Sequence, residues 1–215
     1  MAKQRLTKLS DIIYYYKWHA IAVIGAIFLT VLVVHECASI VRDDVTVNIL
    51  VSGRYEERAS EEISVALEEA AAFEDINGDG KLASYFNIVR VPHRLTSEGE
   101  ISSGMMATVA LATDEALLNF VDGDLAASYA GNGYFDDITA KFPASLLEGA
   151  EIAETADGLK YGISVKDNAF LESKGINADN MYACLRIPIE GYNEELYEKK
   201  VKAAADVLKF IIDNK

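Results

Sequence analysis

The sequence is poor in the residues that most often announce a chemistry. Of 215 residues, 2 are cysteine, 3 histidine and 3 proline. Cys37 and Cys184 cannot build a disulfide framework, and the scattered histidines do not complete the ligand spacing of a zinc site. There is no GxSxG elbow, no HExxH, no CxxC and no glycine-rich phosphate loop ending in Lys-Ser or Lys-Thr. Basic charge is scarce too, with 20 Lys and Arg against 34 Asp and Glu and a net charge of −14. It is also uneven. Lys3, Arg5, Lys8 and Lys17 outweigh Asp11 and Glu36, so residues 1–41 hold a balance of +2 and the rest of the chain carries −16. A body so acidic repels phosphate backbones, which excludes nucleic acid as a partner. The length suits one domain and a little more.

What is present begins with one long apolar segment. Ala20 to Val34, AIAVIGAIFLTVLVV, contains no charge and a single hydroxyl. As a helix the clean run spans about 22 Å, and its extension to Val41 spans about 33 Å, enough for a hydrocarbon core of about 30 Å. Tyr14, Tyr15, Tyr16 and Trp18 precede it, where amphipathic rings favour the membrane interface, and Lys17 marks the basic side. By the positive-inside rule the N-terminus stays in the cytoplasm and the acidic body faces outward. An uncleaved signal anchor is expected, with a cleaved signal peptide as the other reading; the best small-residue cleavage site, Cys37 to Ser39, is poor. His35 and Glu36 read as interfacial residues ending the span. The expected organisation is a basic, aromatic cytoplasmic head over 1–18, a transmembrane anchor over 19–41 and an extracytoplasmic domain over 42–215.

Alternation of strand and helix signals makes that domain α/β. Val45 to Gly53 is an apolar, β-branched run closed by glycine, and Tyr85 to Val91 is a second strand. Between them Glu56 to Phe73 places Ile63, Leu67, Ala70 and Ala71 at helical spacing among glutamates. Ala107 to Thr113, ATVALAT, reads as a short buried strand leading into a helix near Asp114. Short helices and connections fill Asp122 to Gly158. Leu159 to Val165 and Met181 to Ile187 are further strands, flanking a short helix that stops at Gly175, and Glu194 to Ile212 is an amphipathic helix with Leu196, Val201, Ala204, Leu208 and Ile211 on one face. Together these predict a three-layer domain built on a mostly parallel, mixed sheet.

Two places have the composition of a site. In DINGDGK, Asp75, Asn77 and Asp79 occupy the first, third and fifth places of a calcium loop, Gly80 the sixth and Lys81 the seventh, where a backbone carbonyl serves as ligand. The twelfth place, where a bidentate glutamate normally closes the loop, is Phe86. The segment therefore reads either as a structural calcium loop lacking its closing ligand or as a polar turn in which Asp and Asn satisfy backbone groups. Second, ligands of open α/β sheets settle beyond the carboxyl ends of the strands. That would gather Ser52, Gly53, Arg54 and Tyr55 after the first strand with Thr113, Asp114 and Glu115 after the third, with Arg54 and Tyr55 able to clasp an anion. His93 reads as a surface loop residue and Cys184 as a small core residue.

The basic, aromatic-flanked anchor YYYKWHAI, the NILVSG strand, the NGDGK turn, TVALATDEALLNFVDGDLA and GLKYGISVKDNAFLESKGINADNMYACLRIP together resemble a group of uncharacterised single-pass membrane proteins of Gram-positive anaerobes. Their outer domain is similar to a shortened extracellular solute-binding protein of the periplasmic-binding-protein type II kind. The resemblance implies a single lobe of that fold and brings no ligand residues with it. The function expected is a membrane-anchored extracytoplasmic binding or accessory module without enzymatic activity, engaging a cell-surface protein or a small ligand. The alternatives are a ligand receptor subunit of a transporter and a cell-surface hydrolase with unrecognised catalytic residues.

Overall fold

A computed structural model describes residues 14, 16–19, 21–33, 43–52, 55–91, 98–113, 116–188 and 193–214. The chain divides into two compact units, Met1–Val41 and Arg42–Lys215. In the first, one helix, α1 (Tyr16–Val33), is long and apolar enough to cross a membrane, properties that a signal sequence shares. None of it is buried against protein. The one hydroxyl in its apolar run, Thr30 Oγ1, donates back to the Ala26 carbonyl at 2.9 Å and so is satisfied within the helix. At its start the Lys17 ammonium sits 4.2 Å from the centre of the Tyr14 ring, a cation–π pair of the kind that suits an interface. His35 and Glu36 lie outside the described residues.

The second unit is α/β, with a six-stranded mixed sheet in the order β2-β1-β3-β6-β5-β4. β1 (Val45–Val51) runs parallel to both β2 (Ser84–Arg90) and β3 (Leu118–Asp122). β6 (Met181–Leu185) is antiparallel to β3, and β5 (Lys160–Ser164) and β4 (Ile152–Glu154) continue in antiparallel fashion. The expected parallel majority is thus corrected. Parallel pairing is confined to the first three strands, each joined to the next through a helix; β4 and β5 form a tight hairpin across Thr155 to Leu159, whose ends can meet only antiparallel.

Side-chain alternation divides the core into two layers. Val45, Val47, Ile49 and Val51 point to one face, where α2 (Ala59–Glu69), α5 (Ile138–Lys141), α6 (Ala144–Leu147), α7 (Ala169–Ser173) and α8 (Glu194–Asp213) pack. Leu50 points to the other, joined by Val89 and Val121 and covered by α3 (Glu98–Thr113) and α4 (Gly123–Gly131). Helices therefore cover both faces, the three-layer arrangement expected. α8 contributes most, burying Tyr197, Val201, Ala204, Leu208 and Ile211, each large apolar side chain worth roughly 1.5–3 kcal/mol. Leu196, expected on that face, is partly exposed, and Tyr197 takes its place.

Two elements differ from the sequence reading. ATVALAT is the last part of helix α3, and among the described residues the next element is strand β3 rather than a helix. The burial within α3 explains why: Ala107, Ala110 and Leu111 are buried while residues 108, 109 and 112 are exposed, a helical period rather than an alternating one. Alanine favours helix, and the buried Arg186 donates from Nη2 to the Ala112 carbonyl at 3.0 Å, satisfying a C-terminal acceptor.

The start of the β2 edge is covered by α2. Val91 N donates inward to Val51 O, so alternate residues of the strand present their backbone groups outward. Of these, Ser84 N donates to Glu68 Oε1 at 2.8 Å, and Phe86 O accepts from Ser60 Oγ at 2.5 Å. Side chains of a neighbouring helix thus occupy groups that would otherwise template another strand.

Burial has a pH consequence. Tyr197, whose hydroxyl donates to Asp136 Oδ2 at 3.4 Å, is pushed up to about 12, by burial first and then by that carboxylate. Tyr161 and Tyr182 are also raised, mainly by burial, and the Cys184 thiol is driven further up for the same reason. An unfolded chain releases a phenolic proton near pH 10, so across the window from about 10 to 12 the unfolded state binds fewer protons and stability falls as pH rises. Urea midpoints are expected to decline from pH 10 upward. In Tyr197→Phe that decline should be shallower; an unchanged slope would remove Tyr197 as a contributor.

Candidate functional site

The parallel half of the sheet creates a crevice at the carboxyl ends of β1 and β3. The chain leaving β1 enters α2 on one face, whereas the chain leaving β3 enters α4 on the other. Adjacent parallel strands whose helices depart to opposite faces leave an opening between them, the topological switch point of an open α/β sheet. The opening has a volume of about 300 Å³, with Val51 and Met181 as its apolar part and Ser52, Asp122, Asp124, Asn177, Asp179 and Asn180 as its polar lining.

Its polar groups are held in place. Ser52 Oγ donates to Asp122 Oδ2 at 2.7 Å, tying the ends of the two strands together. Asp122 Oδ1 accepts from Asp124 N at 3.3 Å and thereby caps α4. Gly123 N donates to the Asn180 carbonyl at 2.7 Å, joining the start of α4 to the segment before β6. Asp179 N in turn donates to Asn177 Oδ1 at 2.9 Å. This lining offers carboxylate, amide and hydroxyl oxygens and, among the described residues, no cation. It suits a ligand rich in hydroxyl or ammonium donors.

Gly123 lies close under the Asn180 side chain. A Cβ there would lie 2.7 Å from Asn180 Oδ1, whereas one on Gly131, in the same helix, would meet nothing within 4 Å. Because Asn180 is exposed and its amide can turn away, Gly123→Ala is expected to move that side chain out of the crevice while changing stability by no more than about 0.5–1 kcal/mol. Gly131→Ala should leave the melting temperature unchanged or slightly raised. An Asn180 side-chain amide resonance left unmoved by Gly123→Ala would refute the contact.

Of the residues expected at this site, Ser52 is present. Tyr55 is partly exposed and is not part of the crevice lining, and Gly53, Arg54, Asp114 and Glu115 lie outside the described residues, as do the Thr113 side chain and His93. The place assigned to Asp114 is corrected by the strand order. Because β3 is Leu118–Asp122, residue 114 precedes the third strand, and Asp122 and Asp124 follow it at its carboxyl end. Asp179 and Asn180 were missed because they enter from the antiparallel half. Asp167, Glu172 and Asp179 also gather on the exposed surface beside the crevice, their carboxylate oxygens within 4.8 Å of one another. Such a group could hold a cation, though exposed acidic groups gather in this way without one as well.

The DINGDGK loop is a self-bonded turn. Asp75 accepts from Gly78 N at 2.6 Å and from Gly80 N at 2.8 Å, Asn77 Oδ1 accepts from Asp79 N at 2.8 Å, and Asp79 Oδ1 accepts from Lys81 N at 2.9 Å. Gly78 and Gly80 have φ of +74° and +79°, the region glycine tolerates best. Beneath the loop Asp44, only 2% exposed, accepts from Ile76 N and Asn77 N through Oδ1 and from Ala83 N through Oδ2. The neighbouring Asp43 carboxyl is raised above its ordinary value, by burial first and then by the Glu68 and Asp44 carboxylates. Phe86, at the twelfth place, is buried in the core. Compared with known proteins, the chain matches no family model, no curated protein and no solved structure.

Proposed function

We propose that this chain is a membrane-anchored extracytoplasmic binding module without enzymatic activity, and that its ligand or the tip of its partner enters the crevice between β1 and β3. The observation that carries the reading is the lining itself: oxygen acceptors gathered at a switch point, around Ser52, Asp122, Asp124 and Asp179. Ser52 Oγ donates to a carboxylate that also caps a helix, an arrangement that orders a cleft rather than activating a nucleophile. The apolar α1 and the basic residues before it support an anchor with the N-terminus inside and the acidic body outside. A single-lobed module similar to solute-binding proteins is consistent with the three-layer α/β architecture, and a transporter receptor subunit is the same crevice in a different assembly.

The test is thermal shift on the full chain in detergent, against amino sugars, neutral sugars, polyamines and peptides. A specific ligand at a hundredfold over its dissociation constant should stabilise the fold by about 2.7 kcal/mol. Asp124→Asn combined with Asp179→Asn is expected to abolish that shift while leaving the unliganded melting temperature within a degree or two. A shift that survives both substitutions places binding elsewhere, and stabilisation by anions alone would favour the Arg54 and Tyr55 clasp instead. Protease added to intact cells should remove the domain from Arg42 onward; full protection would refute the topology.

For the loop we infer a brace between α2 and β2, with a structural calcium held by Asp75, Asn77, Asp79 and the Lys81 carbonyl as the alternative. The brace is supported by the side-chain oxygens already bonded to loop N–H groups. A chelator is expected to leave the melting temperature unchanged. A calcium-dependent rise that Asp75→Asn removes would establish the metal.

A further inference from the structure

Helix α3 carries an apolar surface that stays exposed to solvent. Of its residues Ala107, Ala110 and Leu111 are buried, while Ile101, Met105, Met106 and Val109 remain 45%, 66%, 62% and 57% exposed. From Ile101 to Ala112 it has no charged residue. Beside it, Asn87 and Val89 of β2 form with Ser102, Met105, Met106 and Val109 an open groove of about 490 Å³, and Tyr85, half-exposed, projects from the same face of the strand. Protruding methionines and a hollow thus lie side by side on one surface.

We propose that this face is the interface between two copies of the chain, paired through their α3 helices about a two-fold axis. An isologous contact needs one patch that carries both the projection and the recess it fills. Here the flexible Met105 and Met106 side chains of each copy are the projections, and the groove over Asn87 and Val89 is the recess. Charge selects the same face. The chain from Arg42 onward carries −16, so two copies meeting through carboxylate-rich surfaces repel, whereas the stretch from Ile101 to Ala112 brings no like charges together. Charge also disfavours a lipid surface as the occupant, because helices that lie on membranes carry Lys and Arg on their polar side, and α3 has neither. The start of the β2 edge is already taken, since Glu68 and Ser60 bond to outward groups there. Five partly exposed side chains offer less than the roughly 800 Å² per partner of a standard interface, so the pair is weak in dilute solution and depends on crowding of the copies, as tethering to one surface provides.

The experiment is disulfide crosslinking of the full chain in native membranes, with Cys37→Ser to remove the second thiol; Cys184 is buried and stays inert. Met105→Cys is expected to give a covalent dimer at least fivefold more abundant than Lys199→Cys, an exposed control on α8. Adding Met106→Glu and Val109→Glu should bring the Met105→Cys dimer down to the control level. These positions are exposed, so the variants should keep the parent melting temperature, which is measured alongside. No excess of dimer over the control, or an excess that the glutamates leave intact, overturns the proposal. So does quenching by nitroxide lipids of a fluorophore attached to the thiol of the Met105→Cys variant, in place of crosslinking, which would make lipid the occupant. Fractionation of the same cells reports whether the chain is membrane-bound, so failure of the anchor and failure of the dimer are read separately.

Discussion

Asp44→Ala is expected to unfold the domain more readily than any other single truncation outside the apolar core. The Asp44 carboxylate is 2% exposed and accepts from Ile76 N, Asn77 N and Ala83 N at 2.9, 3.0 and 3.1 Å. It therefore ties the residue before β1 to both ends of the turn that leads into β2. Hydrogen bonds to charged groups contribute about 1.5–3 kcal/mol each, and truncation leaves three backbone donors without their acceptor, so a loss of about 3–5 kcal/mol follows even after water reaches some of them. Chemical denaturation of Asp44→Ala should show a midpoint lowered accordingly, with Asp44→Asn, which keeps one acceptor oxygen, intermediate. Asp75→Ala in the exposed part of the loop should cost much less, since its two partners face solvent. If the two alanine variants melt together, the loop is not anchored through Asp44.

Asn48→Ala is expected to cost about 3 kcal/mol. Asn48, Asn87 and Asn119 occupy one register line across β2, β1 and β3. Asn87 Nδ2 donates to Asn48 Oδ1 at 3.0 Å, Asn48 Nδ2 donates to Asn119 Oδ1 at 2.9 Å, and Asn119 Nδ2 donates to the Leu117 carbonyl at 3.0 Å. Asn48 and Asn119 are fully buried beneath α3. Removing the central amide leaves a buried Asn119 oxygen without its donor and opens a small cavity, two costs that add. Replacing Asn48 and Asn119 together by leucine should recover part of the loss, because the polar groups then disappear in pairs. The measurable quantity is the coupling between the two sites. Additive losses would mean that the amides do not support one another. The ladder also pins register, since a slip of β1 by one residue would send Asn48 to the opposite face and break both of its amide bonds.

The elements legible in the sequence were those with a strong local period or a clear punctuation mark. α8 shows a regular apolar stripe, and α7 begins at Asn168, whose Oδ1 accepts from Leu171 N at 3.0 Å, and stops at Gly175, with φ of +75°. β1, β5 and β6 read as apolar runs flanked by turn residues. The exchange of helix and strand around residues 107–122 has a specific cause. A short apolar run is compatible with a buried strand or a buried helix, and periodicity alone does not separate them. In α3 one side is uncovered, so apolar residues occur all round and the amphipathic signal is lost. Of the crevice lining only Ser52 was legible as a site residue, for the same local reasons: it ends a recognisable strand, whereas Asp122 became its partner only once β3 took its place beside β1.

By itself, the amino-acid sequence determined the partition of charge between a basic head and an acidic body, one apolar segment long enough to cross a membrane, and an alternation of strands and helices that makes the body α/β. These are sums and periods over neighbouring residues, and no fold is needed to read them. The tertiary structure alone decided strand direction, the correction of Asp114 in favour of Asp122 and Asp124, the covering of the start of the β2 edge by Glu68 and Ser60, and the exposure of one face of α3. Each of these depends on which distant segments become neighbours. Convergence of side chains such as Ser52 and Asp122 is set by packing across the sheet, which leaves no local period in the chain.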